Sequence, residues 1–190
     1  MSAFTIRPAV AADARAIAEI HYAGWQIAYA SVVSDEQMEA KQPERRIPFW
    51  QERIADPKYV VLVAEDDAGK AQGFVYAGDV LAHDIRTGGL AGYDCEIYSL
   101  HCRLAVQGKG LGRLLMAETA HTFRERGRTA LMLWAYRDNA YRRFYEKIGG
   151  QIIAEGFDDD IPDVAYGWLL TKLMTLDSDA HSVRSSEAVQ

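Results

Sequence analysis

The chain has few cysteines, no paired cysteine motif and no long apolar run. Its two cysteines, Cys95 and Cys102, would stand about 23 Å apart on one extended strand, too far for a disulfide. A structural zinc site is not expected, because no C-x-x-C pair is present and because His21, His83 and His121 lack metal-ligand spacing. No stretch reaches eighteen apolar residues, which argues against a membrane-spanning helix.

Basic residues are also in deficit. The chain carries 21 lysines and arginines against 27 aspartates and glutamates, for a net charge of −6. A nucleic-acid binder usually presents a basic face, so nucleic acid is not an expected partner, although a local basic pocket for a small anion remains compatible. The opening MSAFTIRPAV lacks the basic and apolar regions of a signal peptide. We therefore expect a cytoplasmic protein that binds no membrane.

The apolar pattern predicts one α/β domain. Hydrophobic residues make up 49% of the 190, which is enough for a single core. Short β-type runs, including a hairpin over 59–77 and CEIYSLHC, alternate with helical periodicity in AADARAIAEIHYAGWQIAY and LGRLLMAETAHTFRERG. This order predicts a mixed sheet with helices on both faces. We expect the domain to span 1–176 and the small, polar segment 177–190 to be a disordered tail.

The most informative motif is VQGKGLGRLL, residues 106–115, where three glycines open a helix. Glycine is costly inside a helix, so these positions need a reason. The free N–H groups of a first helical turn, with the helix dipole, form an anion site, and Gly108, Gly110 and Gly112 would let a pyrophosphate approach them. Lys109 and Arg113 add positive charge. The alternative is a strand–helix turn that binds nothing.

Two nucleotide-binding patterns do not fit this loop. The Walker A motif needs Ser or Thr after Gly-Lys, but Gly110 follows Lys109 here. The Rossmann motif fails on glycine spacing and on the acidic residue expected about twenty positions later.

A third pattern does fit, over several blocks of the chain. Gln107 to Gly112 reads as Q/R-x-x-G-x-G/A and resembles the pyrophosphate loop of the GNAT superfamily of N-acetyltransferases. RRFYEKIGG resembles that family's F-Y-E-K-x-G-F block, with Gly150 in place of the phenylalanine. IRPAVAADARAIAEIHYAGWQIAY resembles its N-terminal strand and helix, so the resemblance covers about Ile6 to Leu173.

This resemblance implies a fold and a reaction. The fold is a mixed, mostly antiparallel sheet that splays between its fourth and fifth strands, with helices on both faces. The reaction is transfer of an acetyl group from acetyl-CoA, without a metal, to a primary amine of a small molecule or peptide by direct attack in a ternary complex. The sequence does not identify the acceptor, and it leaves a homodimer open. The alternative is a non-catalytic acyl-CoA sensor domain on the same fold, which would bind coenzyme A without turnover.

The resemblance also implies where coenzyme A binds. Pantetheine would pair with backbone at the end of the fourth strand, and the diphosphate would meet the glycine loop. Asp138 stands where the family usually has a pantetheine-binding asparagine; Asn139, one residue later, either takes that role or caps the next helix. The implied contacts are Leu100, His101, Cys102, Gln107, Gly108, Lys109, Gly110, Leu111, Gly112, Arg113 and Asn139.

Two side chains match the family's catalytic positions. Glu96, eleven residues before Gln107, would be the general base, acting directly or through water; the alternative is an ordinary exposed strand glutamate. Strand periodicity puts Glu96 on one face with Tyr98 and Leu100. Tyr145 would protonate the leaving thiolate; the alternative is a core aromatic. The oxyanion donor would be a backbone N–H near Leu100 to Cys102.

The acceptor pocket is less defined by the sequence. Trp25 and Tyr29, spaced i, i+4 on one helix, either line it or pack in the core. Cys102 is expected to line the thioester end rather than carry an acyl group, since neighbouring His101 would point to the opposite strand face. Four aspartates between the last strands either attract a cationic amine or are simply solvated: Asp158, Asp159, Asp160 and Asp163.

Overall fold

A computed structural model describes residues 4–29, 32–81 and 90–176. The predicted tail over 177–190 lies outside these described residues, as does most of the glycine-rich loop before the fourth strand. Among the described helices, none has the length and apolar character needed to span a membrane.

The described strands form one seven-stranded sheet in the order β1-β2-β3-β4-β5-β7-β6. Every neighbouring pair is antiparallel except β4 and β5, which run parallel, so the predicted mixed, mostly antiparallel sheet is confirmed. The strands are β1 (Thr5–Pro8), β2 (Val60–Glu65), β3 (Ala71–Gly78), β4 (Cys95–Cys102), β5 (Ala130–Tyr136), β6 (Gln151–Asp158) and β7 (Ile161–Leu169).

Helices cover both faces of the sheet, as predicted. On one face α1 and α3 bury Ile17, Trp50 and Phe74 against β2 and β3; on the other, α4 buries Leu115 and Phe123. Pro43 begins α3, where a proline is tolerated, and Pro48 lies within the helix. The helices are α1 (Ala14–Tyr29), α2 (Asp35–Glu39), α3 (Pro43–Ala55), α4 (Leu111–Glu125), α5 (Arg142–Lys147) and α6 (Leu170–Leu173).

The sheet splays between β4 and β5, which confirms the predicted gap. Pairing of the two strands covers only Cys95 to Ile97, opposite Leu131 to Leu133. Beyond Ile97, β4 continues to Cys102 along β3, while β5 continues to Tyr136 along β7. One edge of β4 therefore has no strand partner within the described part of the chain.

A β-bulge sits where the gap opens. Ala77 of β3 lies opposite Ile97 but Tyr76 lies opposite Ser99, which leaves Tyr98 as an extra residue on β4. The extra residue reverses the alternation of side chains: Tyr98 packs on the α1 side of the sheet, whereas Leu100 packs on the α4 side. The expectation that Leu100 shares a face with Glu96 and Tyr98 is therefore wrong.

Candidate active site

The gap between β4 and β5 opens into a cavity of about 990 Å³. Its walls come from β4, β5, the loop before α4, α5 and the C-terminal half of α1. Lys109 does not line it and is exposed. The other predicted site residues all line it: Trp25, Tyr29, Glu96, Leu100, His101, Cys102, Gln107, Gly108, Gly110, Leu111, Gly112, Arg113, Asn139 and Tyr145.

The three glycines of the loop serve two different purposes. Gly108 and Gly110 adopt left-handed backbone, with φ of 75° and 85°, and a Cβ built on either would meet no atom within 4 Å. The conformation thus favours glycine, and the space beside it is open. Gly112 instead lies against α5, since its Cβ would be 3.1 Å from Phe144 Cζ. Packing between α4 and α5 accounts for the third glycine.

The loop presents free backbone donors to the cavity. Within the described chain, the N–H groups of Gly108, Gly110, Leu111 and Gly112 bond to no backbone carbonyl outside α4. They stand at the N-terminus of a 15-residue helix, whose dipole adds positive potential there. Arg113 lies on the same cavity wall. Such an arrangement is suited to bind an anion, and the anion site that the motif predicts stays a prediction.

The unpaired edge of β4 offers further backbone groups. Arg103 N–H donates to the carbonyl of Gln72 in β3, at 2.8 Å. Because backbone groups in an antiparallel ladder alternate between the two edges, those of Leu100 and Cys102 face the gap. The Cys102 carbonyl accepts a bond there from Gln107 Nε2, at 3.2 Å. An extended chain in the gap can therefore pair with this edge.

His101 turns away from the gap. Its carbonyl oxygen lies 3.0 Å from a Cβ built on Gly73 of β3, and its ring packs under α1 against His21 and Phe74, with centroids 5.3 and 5.8 Å away. Burial lowers the pKa of His101 to about 4, so the ring is neutral at neutral pH. The predicted contact of His101 with the cofactor stays a prediction, since the residue borders the cavity although its ring and its carbonyl point away from the gap.

Cys102 lies on the opposite side of β4 from the His101 ring, as predicted. Burial raises the pKa of its thiol to about 12. The thiol is therefore protonated at neutral pH, and the reactive thiolate of an acyl-cysteine mechanism is disfavoured.

Glu96 is a buried carboxylate, only 4% exposed, near the start of β4. It lies in the cavity wall and accepts a hydrogen bond from the backbone N–H of Leu81, at 3.0 Å. The alternative of an exposed strand glutamate is therefore wrong. A desolvated carboxylate that faces a cavity is suited to accept a proton.

Tyr145 both packs and faces the cavity. Its ring lies 5.6 Å from Tyr166 and 6.2 Å from Trp168, and its hydroxyl bonds to none of the described residues. Burial raises the pKa of Tyr145 well above its ordinary value, and the nearby Tyr29 and Cys102 raise it further. The phenol is therefore protonated at neutral pH and can donate.

Asn139 is 7% exposed and makes two bonds within the protein. Its Oδ1 accepts from the backbone N–H of Tyr141, at 2.8 Å, and its Nδ2 donates to the Tyr29 hydroxyl, at 3.0 Å. Asn139 thus stabilises the turn before α5 and positions Tyr29. Asp138 is exposed and does not line the cavity.

Aromatic rings enclose the end of the cavity near α1, which we call the aromatic half and define by Trp25, Tyr29, Tyr136 and Phe157. Tyr29 packs between Trp25 and Tyr136, with centroids 4.9 and 5.1 Å away. Burial raises the pKa of Tyr29 to about 12. The predicted pair on α1 therefore packs together and lines the cavity at once.

Two of the four aspartates in the β6–β7 hairpin reach this cavity. Asp158 lines it and accepts a bond from the Tyr136 hydroxyl, at 2.6 Å, and Asp163 lines it from β7. Asp159 and Asp160 are exposed and do not line it. Of the four aspartates, only Asp158 and Asp163 are therefore placed to attract a cationic amine in the cavity.

Sequence reasoning missed several residues of the cavity wall. Arg143 and Lys147 of α5 add positive charge, and the two arginines before Phe144 in RRFYEK were an available signal. Lys41, Tyr136 and Phe157 gave no such signal, because only the folded chain brings their segments to β4.

The cavity-forming segment matches a known family model. The model is described as FR47-like protein and matches residues 79–157, which include β4, the glycine loop, α4 and Tyr145. A curated relative, the uncharacterized N-acetyltransferase YuaI of Bacillus subtilis (strain 168), is 25% identical over 177 residues, covering 90% of this chain and 97% of that protein.

Solved structures share the fold over most of the chain. PaiA N-acetyltransferase from Thermoplasma acidophilum, solved with coenzyme A, aligns with a TM-score of 0.66 at 19% identity, covering 87% of this chain and 99% of that one. YncA from Salmonella typhimurium, solved with acetyl-CoA as its cofactor, aligns at 0.64 and 25% identity, covering 89% and 95%. Together with the splayed sheet and the glycine loop, these similarities identify the chain as an acyltransferase that resembles the N-acetyltransferases of the GNAT type.

Proposed function

We propose that the protein transfers the acetyl group of acetyl-CoA directly to a primary amine of a small molecule or peptide, in a ternary complex. One observation carries the proposal: a single cavity joins the anion-binding loop, an unpaired strand edge, a buried carboxylate and a protonated phenol. Each group serves a different requirement of acyl transfer from a thioester to an amine.

The residues present fit coenzyme A along the length of the cavity. The diphosphate would accept hydrogen bonds from the free N–H groups at the start of α4, where the open space beside Gly108 and Gly110 allows close approach. Pantetheine would pair with the backbone of Leu100 and Cys102 along the β4 edge. Arg143 adds positive charge to the cavity wall.

The acetyl group would pass directly from acetyl-CoA to the amine, without an acyl-enzyme intermediate. Glu96 takes a proton from the ammonium form of the acceptor, directly or through water. The free amine nitrogen then attacks the thioester carbonyl carbon, and the adduct nitrogen releases its second proton to solvent. A backbone N–H of the β4 edge stabilises the oxyanion. The C–S bond then breaks, its electron pair stays on sulfur, and the sulfur takes the Tyr145 hydroxyl proton. Solvent then removes the proton from Glu96 and returns one to Tyr145.

The cofactor assignment is tested by calorimetric titration of acetyl-CoA into Gly110→Asp. A carboxylate beside the free N–H groups would repel the diphosphate, so we expect affinity to fall by about 100-fold, equivalent to about 2.7 kcal/mol. Gly69→Asp is the matched control, because Gly69 has a similar φ of 74°, is equally open, and lies in the β2–β3 turn outside the cavity. Equal affinities in the two folded variants would contradict the assignment.

Turnover is tested by measuring thiol release with acetyl-CoA and a panel of amines. The panel contains α-amino acids, polyamines, aminoglycosides and peptides with free N-termini. At least one amine should give an acetylated product by mass spectrometry. Tight binding of acetyl-CoA without acetylation of any amine would refute the proposed reaction.

A further inference from the structure

Lys41 places a cation in the aromatic half of the cavity. It lies in the tight link between α2 and α3, where its backbone N–H donates to Met38 O at 3.0 Å. Its partly buried side chain lines the cavity, and its Nζ lies 4.1 Å from the centre of the Trp25 ring. This cation–π contact holds the ammonium beside the space that an acceptor would occupy.

No described acidic side chain pairs with this ammonium. Lys58, by contrast, lies 2.9 Å from Asp56, and the Asp158 carboxylate in the same cavity accepts its bond from Tyr136. Arg46, whose positive charge acts on Lys41, also has no carboxylate partner among the described residues, and its Nε is buried without a hydrogen bond. Two neighbouring cations without an anion are unfavourable in a partly desolvated site.

The charged groups around Lys41 are consistent with an ammonium that lacks an acidic partner. Burial lowers the pKa of Lys41 first, repulsion from Arg46 lowers it further, and only Asp158 opposes them. An anion bound beside Nζ would reverse part of this shift. Among the described residues, none places a carboxylate within salt-bridge distance of the Lys41 ammonium, so an anionic ligand could take that position beside Trp25.

We propose that Lys41 binds an anionic group of the acceptor, so that the substrate is an amine that also carries a carboxylate, as an α-amino acid does. This inference rests on the proposed acetyltransferase function. The amine of such a molecule would face Glu96 and the acetyl group, while its carboxylate would meet Nζ over Trp25. Polyamines would be disfavoured, because Lys41 would repel their second charge.

The experiment compares α-amino acids with their C-terminal amides and with putrescine, as initial rates of thiol release at saturating acetyl-CoA. We expect the acids to be preferred. Lys41→Met should raise KM for the best acid by about 10- to 100-fold, the scale of one lost hydrogen bond to a charged group, and leave KM for its amide unchanged. Lys41→Arg should retain much of the preference, and Lys172→Met, exposed on α6, should retain all of it.

Several results would overturn the inference. Equal rates of acetylation for the acids and for their amides or putrescine would overturn the inference and leave the proposed function intact. An unchanged KM for the acid in folded Lys41→Met, or a weakened affinity of that variant for acetyl-CoA, would also do so. Failure to acetylate any amine while acetyl-CoA binds would refute the proposed function itself.

Discussion

Replacing Tyr145 by phenylalanine isolates the proton that the proposed mechanism assigns to the leaving thiolate. The ring keeps its contacts with Phe144, Tyr166 and Trp168. The lost hydroxyl bonds to none of the described residues, so we expect the free energy of unfolding to change by less than about 1 kcal/mol. A fall in rate would therefore report chemistry and not folding.

The structure sets the expected size of that fall. General acid catalysis contributes about 10²- to 10⁴-fold, most when the acid's pKa lies near the working pH. Burial places the pKa of Tyr145 above its ordinary value, whereas a thiol has a pKa of about 8.5, so complete proton transfer is uphill. We therefore expect the low end of the range: kcat lower by about 100-fold, or about 2.7 kcal/mol, with unchanged affinity for acetyl-CoA.

The assay is thiol release with the best acceptor between pH 6 and 9, combined with calorimetric titration of acetyl-CoA. Because its pKa is raised, Tyr145 stays protonated throughout this range, and the ratio of wild-type to variant kcat should not change with pH. Tyr166→Phe is the matched control: Tyr166 packs beside Tyr145, but its hydroxyl donates to Glu146 at 2.9 Å and it does not line the cavity. A kcat within about threefold of wild type in Tyr145→Phe, or an equal loss in Tyr166→Phe, would refute the reasoning.

Two further predictions concern Glu96 and the packing beneath the cavity. Glu96→Gln should reduce the rate most at low pH, where the acceptor amine is protonated, and less as pH rises; thiol-release profiles that show the same loss at every pH would argue against a base. Gly24→Ala should lower the free energy of unfolding by about 1–3 kcal/mol in urea denaturation, because its Cβ would lie far inside van der Waals contact with buried His101 Nδ1. The loss should shrink in a His101→Ala background; a cost that persists there would mean that another contact is responsible.

The sequence by itself determined the local elements of the cofactor site. CEIYSLHC forms β4 with the predicted bounds, and the glycine motif leads into α4 at Leu111. Left-handed φ at Gly108 and Gly110 follows from neighbouring residues alone, since only glycine adopts it freely. Periodicity likewise predicted the hairpin of β2 and β3 and the helices on both faces.

Other features depend on strand pairing that no local pattern records. The bulge at Tyr98 arises from the register between β3 and β4, and it moves Leu100 to the face opposite Glu96. Gly112 is explained by Phe144, more than thirty positions away, and not by the anion. A one-residue shift in pairing reverses every later side chain, so face assignments fail wherever register is unknown.

Only the tertiary structure decided which groups line the cavity outside the glycine loop, and therefore which acceptor the cavity can bind. The burial of Glu96, the bonds that Asn139 makes to Tyr29 and Tyr141, and the position of Lys41 over Trp25 all join segments distant in sequence. Charge at such a site depends on which partners the fold brings within a few ångströms and on how much water it excludes. Both are properties of packing. The sequence therefore indicated the acetyl donor, whereas the chemical character of the acceptor had to be inferred from the folded cavity.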